Sequence, residues 1–316
     1  MPRTEHFHFF LVEDFTHMAF SCAIEPLRLA NWIAGEELYA WSYASENGET
    51  VKSSNQSVTQ VHGTFDARIK SDRLFVLGGL DVNKHISKGL ISALRRERSH
   101  GAQIGALCAG SYALARAGFL DGCRVALHWE YHDSFMEEFP DVHLVRNVFV
   151  ADEKFVTASG GTATADLVLH LISQTHGAEL AVEIADQMVY NAVREASAEQ
   201  KVSLQARHGM RNPHLARAIQ SMSSAIEEPL STAEIAETIG ISTRQLERLF
   251  GRYLNCSPSK YYLEMRLKKA RNLLVQSECS VTEVAVAAGF KSSTHFARVY
   301  RSTFGVAPGS QRARIT

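Results

Sequence analysis

The sequence predicts an α/β domain with a mostly parallel sheet, followed by an all-α domain containing two helix-turn-helix motifs. Three observations carry that reading. Short apolar runs ending in glycine alternate with helix-period segments through about residue 175. The last third repeats its own pattern at an offset of 49–50 positions. Charge divides the chain, with 16 Lys+Arg against 26 Asp+Glu in residues 1–200 and 17 against 8 in residues 201–316. At 316 residues, 45% hydrophobic and 21% charged, two domains with sizeable cores are expected and a disordered chain is excluded. No apolar stretch reads as a membrane span, so no membrane partner is expected. The N-terminus, with Glu13 and Asp14 inside its apolar run, does not read as a signal peptide. Five Cys without a CxxC pair fit a reducing cytoplasm and argue against a disulfide scaffold or a zinc finger. No metal and no cofactor are implied.

Phe7–Val12 is an apolar run of strand length, and Met18–Ile33 carries Phe20, Ala23, Ile24, Leu27 and Ala30 at helical spacing. Leu74–Leu77 is a short buried-type strand that ends in Gly78-Gly79, and a helix is expected from Lys84 to Arg98. Gln103–Leu107 is a strand running into Cys108-Ala109-Gly110-Ser111 and a helix over Tyr112–Ala117. Phe155–Ala158 leads through Gly160-Gly161 into a helix over Ala165–Thr175. Such domains place their sites at the carboxyl ends of strands, where glycines allow backbone amides to approach a ligand.

The Cys108 junction is the most informative point of this half. A residue on a tight strand-to-helix turn is pushed out of the sheet top above a helix N-terminus, which favours a thiolate and makes Cys108 a candidate nucleophile or oxidation-sensitive group. His128 is a candidate base, and the Gly78-Gly79 amides are candidate oxyanion donors. The alternative is a small apolar Cys in a crowded turn and a hydrogen-bonded structural His128. Leu107–Ser111, Leu77-Gly78-Gly79 and Leu127-His128-Trp129 together resemble the PfpI-type branch of the class I glutamine amidotransferase-like superfamily, over about residues 5–190. The resemblance implies a flavodoxin-like sandwich with Cys108 on a nucleophile elbow. Catalytic members place a Glu early in the first helix and a His directly after the Cys. This chain has Thr16-His17-Met18-Ala19 and Ala109 instead. A Cys without a proton-handling carboxylate is a poor catalyst, so the expectation is a pocket that binds. Cys108 and His128 are then vestigial catalytic candidates, and Gly78, Gly79, Cys108, Ala109, Gly110, Ser111, His128 and Trp129 are the expected ligand-binding set. Trp129, Tyr112 and Trp32 are candidates for an aromatic cage around a methylated ammonium; for an arginine ligand, Glu25 and Glu130 become the candidates.

In the last third, Ile235/Val284, Ala236/Ala285 and Gly240/Gly289 are offset by 49, and Leu246/Phe296, Arg248/Arg298, Phe250/Tyr300 and Pro258/Pro308 by 50. Each copy reads as helix, glycine turn, helix. Ser231 or Thr232 caps the first helix and Ser242 the second; Ser280 and Ser292 or Ser293 do so in the repeat. A helix over Ser259–Gln276 joins the copies, with Lys260, Arg266, Lys268, Lys269 and Arg271 on its basic side; at ~1.5 Å per residue it spans ~27 Å, enough to hold two recognition helices about one DNA turn apart.

This tandem pattern resembles the AraC/XylS family of bacterial regulators over about residues 215–312, most sharply at Ala233–Phe250 and Val284–Pro308. It implies that Arg244, Glu247 and Arg248 in one helix and Ser293, Thr294, His295 and Arg298 in the other read bases. Arg252, Lys260, Lys291 and Arg301 are cast as phosphate contacts. Fusion to an amidotransferase-like domain, with the segment Glu25–Asn31, resembles a branch that senses small nitrogenous metabolites such as arginine, carnitine and glycine betaine. The expected organisation is a ligand-sensing and dimerising domain over 1–194, a linker over 195–212 and a DNA-binding domain over 213–316. The expected partners are double-stranded operator DNA, a small-molecule effector, a second copy of the chain and, for an activator, RNA polymerase. A Cys108-dependent hydrolase with a DNA-binding tail and a Cys108 redox sensor are the rival readings.

Overall fold

The apolar runs of the first half assemble into one sheet covered on both faces. In the computed structural model, which describes residues 3–67, 70–79, 81–191, 193–200 and 212–313, the chain divides into two compact units, residues 1–200 and 201–316. Unit 1 has strands β1 (Glu5–Leu11), β2 (Tyr39–Ser45), β3 (Thr50–Lys52), β4 (Val58–Gln60), β5 (Gly63–Thr64) and β6 (Arg73–Gly78). These are followed by β7 (Gln103–Cys108), β8 (Arg124–Ala126), β9 (His143–Val145), β10 (Phe149–Ala151) and β11 (Phe155–Ala158). Its helices are α1 (His17–Ala34), α2 (Val82–His85), α3 (Lys88–Ser99), α4 (Ser111–Arg116), α5 (His132–Glu138), α6 (Ala163–His176) and α7 (Ala178–Gln187). The main sheet runs β10-β11-β7-β6-β1-β2-β5 and is parallel except for β10. Its central order is the flavodoxin-like doubly wound arrangement, as expected. Successive residues of a strand face opposite sides. Phe9 therefore packs in one core with Leu27, Leu77, Leu167 and Ile184, while Phe10 packs in the other with Leu90, Tyr112 and Phe135.

Two departures have local causes. The helix expected over Lys84–Arg98 is two helices, because the Ser87 hydroxyl accepts the Leu90 amide at 3.0 Å and starts α3 afresh. Strand β2 is passed over by periodicity, because it buries Ser42 and Ser45 where an apolar residue would mark it.

Strand β1 also buries His8, whose Nδ1 lies 2.7 Å from Ser42 Oγ. Burial, reinforced by repulsion from His6, pushes the His8 imidazole down from 6.5 to about 4. A histidine held neutral stabilises the fold fully above its unfolded pKa, and that contribution falls as pH drops below 6.5. Lowering pH from 7.5 to 5 is therefore expected to cost about 2 kcal/mol through His8. Urea titrations at the two pH values measure it; a His8→Gln variant with the same acid sensitivity as the parent would remove His8 as the cause.

The end of unit 1 is tied down. Residues 196–200, expected as the start of the linker, bond back to the sheet edge: the Val148 amide donates to Ala198 O at 2.8 Å and the Gln200 amide to Arg146 O at 3.0 Å. The rest of the expected linker before Asn212, residues 201–211, lies outside the described residues.

Unit 2 begins with α8 (Pro213–Ser224), which the sequence reading did not name although Asn212 caps it and Leu215, Ala218, Ile219 and Met222 sit at helical spacing. Then come α9 (Thr232–Thr238), α10 (Thr243–Leu254), α11 (Pro258–Gln276), α12 (Val281–Ala287), α13 (Ser293–Phe304) and α14 (Pro308–Ala313). The repeat holds, with α9 matching α12 at an offset of 49 and α10 matching α13 at 50. Capping boxes at Ser231–Glu234 and Ser280–Glu283 start the equivalent first helices. Each copy has its own core, Leu246 and Phe250 in one and Phe296 and Tyr300 in the other, and α11 contributes Tyr262 to the first and Leu267, Leu273 and Leu274 to the second.

Candidate functional site

The second helix of each repeat buries one side and presents the other. In α10, Leu246 and Phe250 are buried while Arg244, Glu247 and Arg248, spaced i, i+3, i+4, form one exposed face. In α13, Phe296 and Tyr300 are buried and Ser293, Thr294, His295 and Arg298 are exposed, the His295 ring lying 6.0 Å from Phe290. Arg252, Lys260, Lys291 and Arg301 are exposed as well. The basic side of α11 is partly consumed internally. Arg266 donates to Ala288 O at 2.9 Å and Gly289 O at 2.7 Å, with its guanidinium 4.2 Å from the Phe290 ring centre. Lys269 pairs with Glu227 at 3.0 Å, and Arg271 lies over Phe304. Lys260 and Lys268 stay exposed.

In unit 1, Cys108 closes β7 with φ 57°, the strained left-handed turn expected of an elbow. Its side chain is nevertheless sealed. Cys108 is buried, its Sγ lies 3.3 Å from Thr16 Oγ1, and a Cβ on Gly160 would come within 2.9 Å of the sulfur. Burial pushes the thiol up, and the hydrogen bonds from Thr16 and the Ala109 amide offset this only in part; Glu130 adds to the rise. The pull of the helix start towards a thiolate is thus outweighed by desolvation, which favours the alternative of a small buried Cys in a crowded turn. Thr16 stands at the start of α1, facing the sulfur, where a catalytic member of the resembled branch carries a carboxylate, and a hydroxyl does not take up the proton.

The glycines at the elbow serve close packing of the chain on itself. A Cβ on Gly79 would run into the Asp14 carbonyl, one on Gly110 into the Val76 carbonyl, and one on Gly78 would sit 2.8 Å from the Gly110 nitrogen. Ala109 and Ser111 are fully buried. Tyr112 belongs to the core on the face of the sheet opposite Cys108, its hydroxyl 2.8 Å from Ser134 Oγ. Trp32 is exposed near the far end of α1, about 22 Å along the helix from His17, and Glu25 pairs with Arg28 on the surface. The three-ring cage expected from sequence is therefore not assembled: Tyr112 is behind the sheet and Trp32 is a helix length away. His128 and Trp129 do come together, with ring centres 5.4 Å apart, and both reach solvent. The sequence alone assigns no contact to two residues of this region. Thr16 was legible as the first polar side chain before α1. Tyr131, whose hydroxyl donates to Gly79 O at 3.1 Å, carries no sequence signal.

A Cys108→Ser variant is expected to bind DNA as the parent does and to lose no hydrolytic rate. The checks are a DNA retardation assay and an amidase and peptidase assay. A measurable hydrolysis in the parent that the serine variant lacks would make Cys108 a nucleophile.

Comparison with known proteins agrees with this geometry. Residues 235–314 match the helix-turn-helix domain family and residues 8–174 the DJ-1/PfpI family. The HTH-type transcriptional regulator GbdR of Pseudomonas aeruginosa is 40% identical over 305 residues, covering 96% of this chain and 83% of that protein. The HTH-type transcriptional regulator CdhR of the same organism is 39% identical over 310 residues, covering 98% and 92%. The crystal structure of an AraC family transcriptional regulator from Pseudomonas putida superposes on 58% of this chain and 99% of its own, at 26% identity and a TM-score of 0.53. Two helix-turn-helix copies joined to a doubly wound unit with a sealed elbow Cys therefore place the chain in a known group: it belongs to the AraC-type helix-turn-helix transcriptional regulators whose first half is a DJ-1/PfpI domain.

Proposed function

We propose that the protein is a cytoplasmic, non-enzymatic activator of catabolic genes, responsive to a small nitrogenous metabolite of the glycine betaine, carnitine or arginine type. Unit 1 senses and dimerises, unit 2 binds the operator, and RNA polymerase is the further partner. The observation that supports this most is the pairing of two exposed reading helices with an elbow Cys bonded to Thr16. The same burial that raises the Cys108 thiol disfavours the hydrolase and redox readings.

In this reading His128 and Trp129 meet the effector over a wall shaped by Gly78, Gly79, Cys108, Ala109, Gly110 and Ser111. A route out of the site supports it. The Leu127 carbonyl, adjacent to His128, accepts the Gln200 side-chain amide at 2.8 Å, and Gln200 is the last described residue of unit 1. An effector that binds two arrangements of this lip unequally shifts their populations and moves residues 196–200 with them.

Arg244, Glu247 and Arg248 are proposed to read one half of the operator and Ser293, Thr294, His295 and Arg298 the other. Arg252, Lys260, Lys291 and Arg301 hold phosphates. Arg248→Ala and Arg298→Ala are each expected to cost on the order of 1–3 kcal/mol on operator DNA and to relax specificity at one position. Lys260→Ala is expected to weaken operator and random DNA alike and to lower the salt slope by about one. Retardation assays across a salt series separate the two; equal losses on both DNAs for the arginine variants would reassign them to the backbone.

A further inference from the structure

A second concavity in unit 1 uses none of the elbow residues. It is a cleft of about 380 Å³ at the carboxyl ends of β1 and β2, lined by Glu13, Glu46, Lys84, His85 and Ser87 around buried Leu11, Val51 and Phe65. That size suits a small metabolite, and an apolar floor with a few convergent charges is how small-molecule sites are built. The charges are of both signs. Glu46 is braced by the Ser87 hydroxyl, which donates to its Oε2 at 2.7 Å. Glu13 Oε2 has the Lys52 amide at 3.5 Å, the limit of a hydrogen bond. Lys84 Nζ lies 3.7 Å from Asp81 and the His85 ring Nε2 lies 3.7 Å from Asp14.

We infer that this cleft binds a small zwitterion, with its cationic nitrogen against Glu13 and Glu46 and its carboxylate against Lys84 and His85. Neither half alone satisfies the site: a bare anion meets two carboxylates and a bare cation meets Lys84. The cleft is also connected to the elbow. Asp14, the partner of His85, sits at φ 58° in the turn that leads to Thr16, and Thr16 holds Cys108. Drawing His85 onto a ligand carboxylate releases Asp14 and loosens that turn. The inference shares with the proposed function the premise that unit 1 senses a small molecule, and it places an additional recognition site there.

Calorimetric titration of the full-length protein tests it, with glycine betaine, carnitine and arginine as zwitterions and tetramethylammonium and acetate as the two separate halves. At least one zwitterion is expected to bind, and roughly tenfold more tightly than either half. Glu13→Gln combined with Glu46→Gln, and separately the exposed Lys84→Met, are each expected to weaken it roughly tenfold or more, while the surface control Glu36→Gln leaves it unchanged. Lys84→Met removes an exposed side chain and reports on binding even if the double variant folds poorly. Parental affinity in both cleft variants, loss only in Trp129→Ala, or no zwitterion binding to the parent overturns the inference. Operator binding gives the independent readout. If the cleft variants bind the zwitterion as the parent does and it still controls operator binding, the cleft fails and the sensing role stands. If the zwitterion binds in the cleft without changing operator binding, the cleft stands and the sensing role fails.

Discussion

Arg194→Met is expected to destabilise unit 1 by about 3–5 kcal/mol, because it strands a buried carboxylate. Asp166, on α6, has no exposed side-chain surface. Its Oδ1 accepts the Arg194 amide and the Tyr190 hydroxyl, both at 2.8 Å, and its Oδ2 accepts Arg194 Nε at 2.8 Å and lies 2.6 Å from Nη2. Arg194 Nη2 also donates to Thr162 Oγ1 at 2.7 Å. The methionine removes the compensating charge and leaves the carboxylate in place. Thermal unfolding followed by circular dichroism should show the unit 1 transition falling by roughly 10 °C. Arg194→Lys should rescue little, since an ammonium lacks the planar fork that reaches Asp166 and Thr162 together. Adding Asp166→Leu to Arg194→Met should restore part of the loss by removing the stranded charge. A melting point unchanged in Arg194→Met would show that the pair contributes nothing net. The consequence reaches function, because this pair clamps the segment by which unit 1 leads towards unit 2.

Arg266→Met is expected to cost about 4 kcal/mol, the sum of two charge-assisted hydrogen bonds and a cation–π contact. The loss should also be uneven along the operator. Arg266 holds the carbonyls of Ala288 and Gly289, the turn of the second helix-turn-helix, onto α11. The other side of that turn is equally tight, since a Cβ on Gly289 would meet the Ile226 carbonyl and Gly289 has φ 74°. With the half-operator roles proposed above, footprinting should show the half assigned to α13 lost first while the half assigned to α10 persists. Gly289→Ala should give the same pattern from the opposite side of the contact, whereas Gly240→Ala strains only its own φ of 74°, with no atom within 4 Å of the new Cβ. Uniform weakening across the whole operator would refute a positioning role for Arg266.

Much of unit 2 is legible in the sequence because its determinants are local. Serine caps with Glu or Gln at the third position, a glycine at each turn and apolar residues at helical spacing all act within a few residues. The duplicated pattern therefore gives the right helices and the right exposed faces. The Cys108 elbow is legible for the same reason, as a strand-to-helix turn spelled out by consecutive residues. Strand β2 and helix α7 were not legible: the strand buries serines that mimic a loop, and its place beside β1 is set by pairing across residues far apart in sequence.

By itself, then, the sequence determined the two-unit organisation, the helix-turn-helix repeat, the exposed faces of α10 and α13 and the presence of a turn at Cys108. Only the tertiary structure decided which charges are free. It took Arg266, Lys269 and Arg271 out of a stripe that looked uniformly basic, since each finds its partner on another helix or loop. It placed Tyr112 behind the sheet from Cys108, and it buried the thiol above the helix start against Thr16 and Gly160, which pushes that thiol up. Capping and periodicity act between neighbours in the chain. Burial and ion pairing are set by groups brought together from distant positions, and desolvation at Cys108 outweighs the field of a single short helix.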